Sequence, residues 1–302
     1  MKRTIGFAAA LAFLGVSTGF AQDPAALIEK LKSSDADEAD NAREDLLKLG
    51  AAAIEPVREA AAKSPDAAFK KTATAIVERL ETRKAAAGLA KSWGDRWYAV
   101  FIKELKVGWA HFKAEEKDGL IVLDTELRVE HGKDNAYHIK VSLTCKPNEY
   151  LSVESLTLDL ASPEHSVTAT AQVKENRLVV KTGGETKATK IRSNTVVDLA
   201  VFPLVTLLPR TEGYEVEVLE LIKPKLPEAA IVKFDKEETI EYEERKVKTR
   251  RFMQTSGSGK DRFFFVDAAG RLLRVQLLSE DDKDVELILS DEKRAKDIDT
   301  KD

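Results

Sequence analysis

Two rhythms of apolar and polar residues divide this chain. From residue 23 to about residue 90, apolar side chains recur at helical spacing within stretches rich in Ala, Leu, Glu and Lys. Ala25 to Leu31 predicts a short first helix, and Ser34-Asp35 caps a second that runs to Leu49 and stops at Gly50. Pro56 falls in the first turns of a third helix, where a missing amide hydrogen costs little. Ser64-Pro65-Asp66 opens a fourth that ends near Arg83.

Around Trp93 the period shortens from 3.6 to 2 and stays there almost to the C-terminus. Ile121, Leu123, Leu127 and Val129 take one face of a strand, with Asp124, Glu126, Arg128 and Glu130 on the other. The alternation returns at Val167 to Val173, Leu178 to Val180, Tyr214 to Val218 and Val285 to Leu289. One wet face per strand predicts an antiparallel sheet, because parallel strands covered on both faces are apolar throughout. Lys117-Asp118-Gly119, Lys174-Glu175-Asn176 and Thr182-Gly183-Gly184 read as hairpin turns, and Asp267 to Gly270 joins the clearest hairpin, Arg262 to Leu278. Between Leu151-Val153 and Leu156-Leu160 the apolar phase flips, which predicts a β-bulge at Glu154 or Ser155.

One segment breaks the rhythm. Val196 to Leu208 is apolar except for Asp198 and Thr206, contains Pro203 and follows the caps Ser193-Asn194. It is too short to span a bilayer. Two readings stand: a helix or broken helix lying in the concavity of a curved sheet, or an ordinary core segment. On the first, Leu199, Phe202, Leu204 and Val205, with Val216 and Val218 from the next strand, line a ligand-binding concavity.

The N-terminus changes where this architecture is expected to work. Met1-Lys2-Arg3 is a basic start, Ile5 to Phe20 is uncharged and apolar, and Gly19-Phe20-Ala21 ends in small residues, which reads as a signal peptide over 1–21 cleaved near Ala21. The expected product is exported, periplasmic or secreted, and soluble. The expected divisions are then a helical arm over 22–90, a β domain over 91–292 and a charged tail over 293–302. Without Lys2 and Arg3 the chain keeps 46 basic and 52 acidic side chains, a net charge of −6 with both signs interspersed, so nothing recruits nucleic acid. A single cysteine, Cys145, leaves an exported fold without a disulfide staple. It shares a strand face with Tyr137, Ile139, Val141 and Leu143, so a buried, inert thiol is expected.

Candidate chemistry is sparse. His111, His131, His138 and His165 have no metal-type spacing, and neither a nucleophile elbow nor a phosphate or dinucleotide glycine loop is present. The 52 acidic residues offer many carboxylate pairs and single out none. The reading is therefore a non-enzymatic protein that requires no cofactor or metal. A charge switch stands out: acidic residues from Asp235 to Glu244 precede Arg245, Lys246, Lys248, Arg250 and Arg251. Lys246, Lys248 and Arg250 share one strand face, either as a groove for an anionic lipid or polymer or as a solvated face paired with acidic neighbours.

Ala39, Arg43, Leu46, Leu47 and Gly50, followed by Ala53, Ile54, Pro56 and Val57, resemble a HEAT-type helical repeat over about one and a half repeats. That likeness implies a partner-binding arm; so few repeats must dock elsewhere, because each buries its apolar face only against a neighbour. Val107-Gly108-Trp109, the apolar stretch Leu199 to Leu208, and Phe264-Phe265-Val266-Asp267 before Gly270-Arg271-Leu272-Leu273 make the β domain similar to exported bacterial half-barrels of the lipoprotein-carrier type and related envelope families. The resemblance implies a curved antiparallel sheet holding a helix and an acyl chain, although a preceding helical arm departs from that plan. The fold class expected is α+β. Three function classes follow: a binding module with an apolar concavity for a lipid or other apolar ligand, an interaction scaffold acting on a protein partner through the arm, and an envelope hydrolase without a recognisable motif.

Overall fold

A computed structural model of the chain describes residues 23–130, 136–163, 165–192, 194–209, 214–219, 228–256, 261–278 and 284–298. The expected signal peptide, His131 and Ser193 lie outside them. The arm comprises α1 (Pro24–Leu31), α2 (Ala36–Leu49), a 3-10 turn at Gly50–Ala53, α3 (Ile54–Lys63), α4 (Ala67–Ala87) and the short α5 (Leu89–Trp93). Asp23, Asp35 and Asp66 cap α1, α2 and α4 by accepting bonds from free backbone amides of the first turns. The fourth helix runs past Arg83 to Ala87, because Lys84 to Ala87 are strong helix formers and the first stop is Gly88.

That extension carries α4 from one core into another. Leu27 to Leu80 form the arm's own apolar cluster, built on Leu46, Val57, Ala73 and Ile76, whereas Ala86, Leu89 and Trp93 belong to the core of the sheet. A buried ion cluster joins the two parts. Glu149, 2% exposed in the connection between two strands, accepts from Arg83 through Nε (2.8 Å) and Nη2 (3.0 Å) and from Arg79 Nη2 (2.9 Å). Arg83 also donates to the carbonyl of Leu47 at the end of α2 (2.8 Å).

The sheet begins with β1 (Asp95–Ile102), β2 (Leu105–Lys117), β3 (Leu120–Glu130), β4 (Ala136–Cys145), β5 (Val153–Ala161), β6 (Ser166–Lys174), β7 (Arg177–Thr182) and β8 (Glu185–Lys190). It resumes with β9 (Thr195–Val197), the single-turn α6 (Val201–Leu204), β10 (Tyr214–Leu219), β11 (Glu228–Tyr242), β12 (Arg245–Ser256), β13 (Arg262–Asp267), β14 (Leu272–Leu277) and β15 (Val285–Ser290), and α7 (Glu292–Lys296) follows. The fold is α+β: a helical N-terminal segment, then one 15-stranded sheet in the order β8 to β1, then β15 to β9. All pairs are antiparallel except β9 with β10, and the last strand closes onto the first, with Trp97 opposite Ser290 and Ile102 opposite Val285.

The sheet must curl. β8 and β9 are its two edges, yet only residues 191–194 join them, a reach of at most about 18 Å. β9 also packs against β5, near the opposite edge. Among the described residues the two edges do not pair, and the curl stays open. Bulges help to bend it. Thr144 faces Ser155 while Cys145 faces Val153, leaving Glu154 as the extra residue where the apolar phase flips. The expected hairpin turns form with positive φ at Asp118-Gly119, Glu175-Asn176 and Gly183-Gly184.

Candidate functional site

The segment that breaks the strand rhythm fills the curl. Thr195–Val197 is a strand, Asp198–Ala200 a 3-10 turn and Val201–Leu204 one helical turn, so of the helix or broken helix expected here the structure has the broken form. Pro203, which has no amide hydrogen to donate, and the turn at Asp198 keep the regular part short. We refer to Thr195–Leu208 as the wedge. Val196, Val197, Val201, Leu204 and Val205 are all 0% exposed, and Phe202 is 5% exposed. The Phe202 ring stacks on Phe112 of β2 at 5.0 Å and meets Phe264 of β13 edge-on at 5.8 Å, so one ring touches both halves of the sheet. Trp93 of α5 and Tyr98 of β1 reach Phe112 edge-on at 6.5 and 5.6 Å, and the Tyr98 hydroxyl donates to the carbonyl of Leu272.

The six residues expected to line the concavity thus have definite places. Phe202, Leu204 and Val205 are core side chains of the wedge, Leu199 is partly buried beside them, and Val218 is 5% exposed on β10. Val216 lies on β10, and its side chain is outside the described residues.

A small polar cluster sits at the wedge's edge and was not legible in the sequence. Asp198 lies 3.9 Å from Arg262 of β13, and Arg262 is directly opposite Gln254 of β12. Gln254 is 3% exposed, and its Oε1 has no partner among the described residues. The only sequence hint was Asp198 inside an otherwise apolar run.

The charge switch is a hairpin. Glu241 faces Lys246, Thr239 faces Lys248 and Glu237 faces Arg250 across β11 and β12. Lys248 Nζ is 2.6 Å from Glu237, Arg250 lies over the ring of Phe252, and Arg251 is paired with Asp235 (2.5 Å) and Glu238 (2.9 Å). The acidic run and the basic run therefore meet each other across the ladder, and register explains the abrupt change of sign.

Cys145 is fully buried, and burial pushes its thiol well above the ordinary value. The histidines are dispersed: His111 bonds Asp95 (2.6 Å) and stacks on Trp97 (4.1 Å), His138 bonds Glu126 (2.6 Å), and His165 is in the connection after β5. His111 and Glu126 belong to a row that register alone reveals. Trp97, His111, Glu126, Lys140, Asp159 and Thr168 lie opposite one another in turn across six strands on the outer face. Acid and base alternate along it, beside a groove of about 270 Å³. Lys296 of α7 covers Trp97 at 4.4 Å. Among the described residues no group of His, Cys, Asp and Glu is placed to hold a metal ion, and no helix is long and apolar enough to cross a membrane.

No family model and no curated protein matches the chain. Among solved structures it is similar to a beta-barrel-like protein of the domain of unknown function DUF1849 from Brucella abortus, at 10% identity and a TM-score of 0.45, over 65% of this chain and 94% of that one. It is also similar to a DUF1089 family protein from Pseudomonas aeruginosa, at 12% identity and a TM-score of 0.36, over 54% of this chain and 87% of that one.

Proposed function

We propose that this protein is an exported, non-enzymatic binding module that takes an apolar ligand into the interior of its curled sheet. The wedge carries this reading. Barrels of about eight strands are filled by their own inward side chains, and larger ones leave room. Here 15 strands curl around a separate segment that is apolar, almost wholly buried and, among the described residues, tied to the ladder by three β9–β10 pairs. An acyl chain or similar ligand has the same chemistry as the wedge and makes the same contacts with Phe112 and Phe264. Export rests on the apolar, basic-headed N-terminal sequence. Native mass spectrometry of gently purified protein tests the reading: a co-purified apolar species, or stoichiometric uptake of an added fatty acid, is expected. Absence of both, with no change in melting temperature, refutes it.

A second reading, an interaction scaffold acting through the arm, is favoured by the arm's separate apolar cluster over Leu27 to Leu80. Deleting residues 23–80 should abolish partner capture yet leave Ala86, Leu89 and Trp93 in the sheet's core. Capture that survives the deletion refutes it.

A further inference from the structure

The arm carries a basic notch that neither reading uses. Lys71, Ala75 and Arg79 follow one another at four-residue intervals along α4, so they share a face, and the short Ala75 leaves a gap between two long cations. Arg43 of α2 closes the gap from the other side. Together with Thr72 and the buried Ile76 these residues surround about 410 Å³. The notch combines cationic walls with an apolar floor.

The charges there are incompletely balanced. Arg43 has Asp40 at 3.0 Å, and Glu44 on α2 acts on Arg79 through space. Lys71 has no ion-pair partner among the described residues. Arg79 and Arg83 share the single carboxylate of Glu149. Their holds on it are unequal, because Arg83 makes two bonds to Glu149 and one to Leu47, whereas Arg79 makes one to Glu149. Arg79 Nε is buried with no acceptor among the described residues, and its guanidinium lies over the Tyr150 ring at 5.8 Å. Arg79 can therefore turn toward a ligand while Arg83 keeps the arm attached to the sheet.

We infer that Arg43, Lys71 and Arg79 form a binding site for a phosphate monoester, with its organic portion on Ala75 and Ile76. Three separate cationic arms suit a tetrahedral oxyanion better than a planar carboxylate, which one guanidinium satisfies alone. The same chemistry occurs in a soluble phosphate ester and in the headgroup of phosphatidic acid.

Titration calorimetry of the full chain with glycerol 3-phosphate, and co-sedimentation with phosphatidylcholine vesicles with and without phosphatidic acid, test this at fixed ionic strength. Binding in the first arm alone assigns a soluble ester, and binding in the second alone assigns the lipid headgroup. In either case Lys71→Gln and Arg43→Gln each weaken binding about tenfold, the equivalent of one charge-assisted contact. The melting temperature stays within about 1 °C, since both side chains are on the surface. Binding in neither arm, equal affinity in the double variant, or tighter binding of a glutamate-rich peptide that displaces glycerol 3-phosphate overturns the inference. Apolar-ligand uptake by the sheet is unaffected by any of these outcomes, so the two proposals fail separately.

Discussion

Replacing Glu149 with alanine should loosen the arm from the sheet. The carboxylate is 2% exposed and accepts three guanidinium bonds, two from Arg83 and one from Arg79. Removing one partner of a buried ion pair costs about 3–5 kcal/mol, mostly because the remaining charge is stranded. Here the arginines are 31% and 36% exposed and can turn to water, so the low end, about 3 kcal/mol, applies. The loss should fall on the junction between the two apolar clusters. Urea unfolding followed by tryptophan fluorescence, with hydrogen exchange of α4, would measure it. Acidity gives a second handle. Burial works to raise the Glu149 carboxyl, but bonds from Arg83, its own backbone amide and Arg79 outweigh burial and hold it below the ordinary 4.5. A lowered folded value stabilises the protein above the unfolded value, and that contribution is lost as pH falls from about 4.5 through the folded value. Glu149→Gln should remove that part of the acid sensitivity. A change below about 0.5 kcal/mol in Glu149→Ala, with unaltered exchange in α4, would show that the ion cluster does not hold the arm to the sheet.

Three other perturbations have definite outcomes. Glu243 and Glu244 form the β11–β12 turn with φ of +48° and +59°, so Glu243→Asn with Glu244→Gly should stabilise the chain by about 1–2 kcal/mol in thermal unfolding. A side chain at Gly108 would press on the backbone of Arg128 and come within 2.9 Å of the Cα of Val129; Gly108→Ala should cost more than about 2 kcal/mol, and wild-type stability in urea would contradict this. Cys145 should resist thiol reagents until global unfolding, because burial disfavours its thiolate; rapid labelling of the folded protein would show that β4 opens locally.

Periodicity revealed much of this fold because one face of most strands is wet. The bulge at Glu154 and the paired residues of the hairpin turns were legible for the same local reason. What periodicity does not encode is which distant strands meet. The closure of β15 onto β1 and the curl that brings β9 to β5 depend on non-local pairing. The same limit hid functional features. Glu149 looks like one acid among 52, and only the fold brings Arg79 and Arg83 to it. Pairing of the basic strand face with acidic neighbours was one of the two readings of the charge switch, but which acid meets which base, as Glu237 meets Lys248 at 2.6 Å, follows only from the hairpin register. The wedge was conspicuous as an apolar run, but Pro203 and the turn at Asp198 gave it less helix than its composition suggests.

The central claim is that the wedge occupies space an apolar ligand can take. Hydrogen exchange of residues 195–208, measured with and without a saturating fatty acid, tests it most directly. Stoichiometric uptake should be accompanied by faster exchange in the wedge, as contacts with Phe112 and Phe264 pass to the ligand. Uptake that leaves exchange of the wedge unchanged, or no uptake at all, would contradict it.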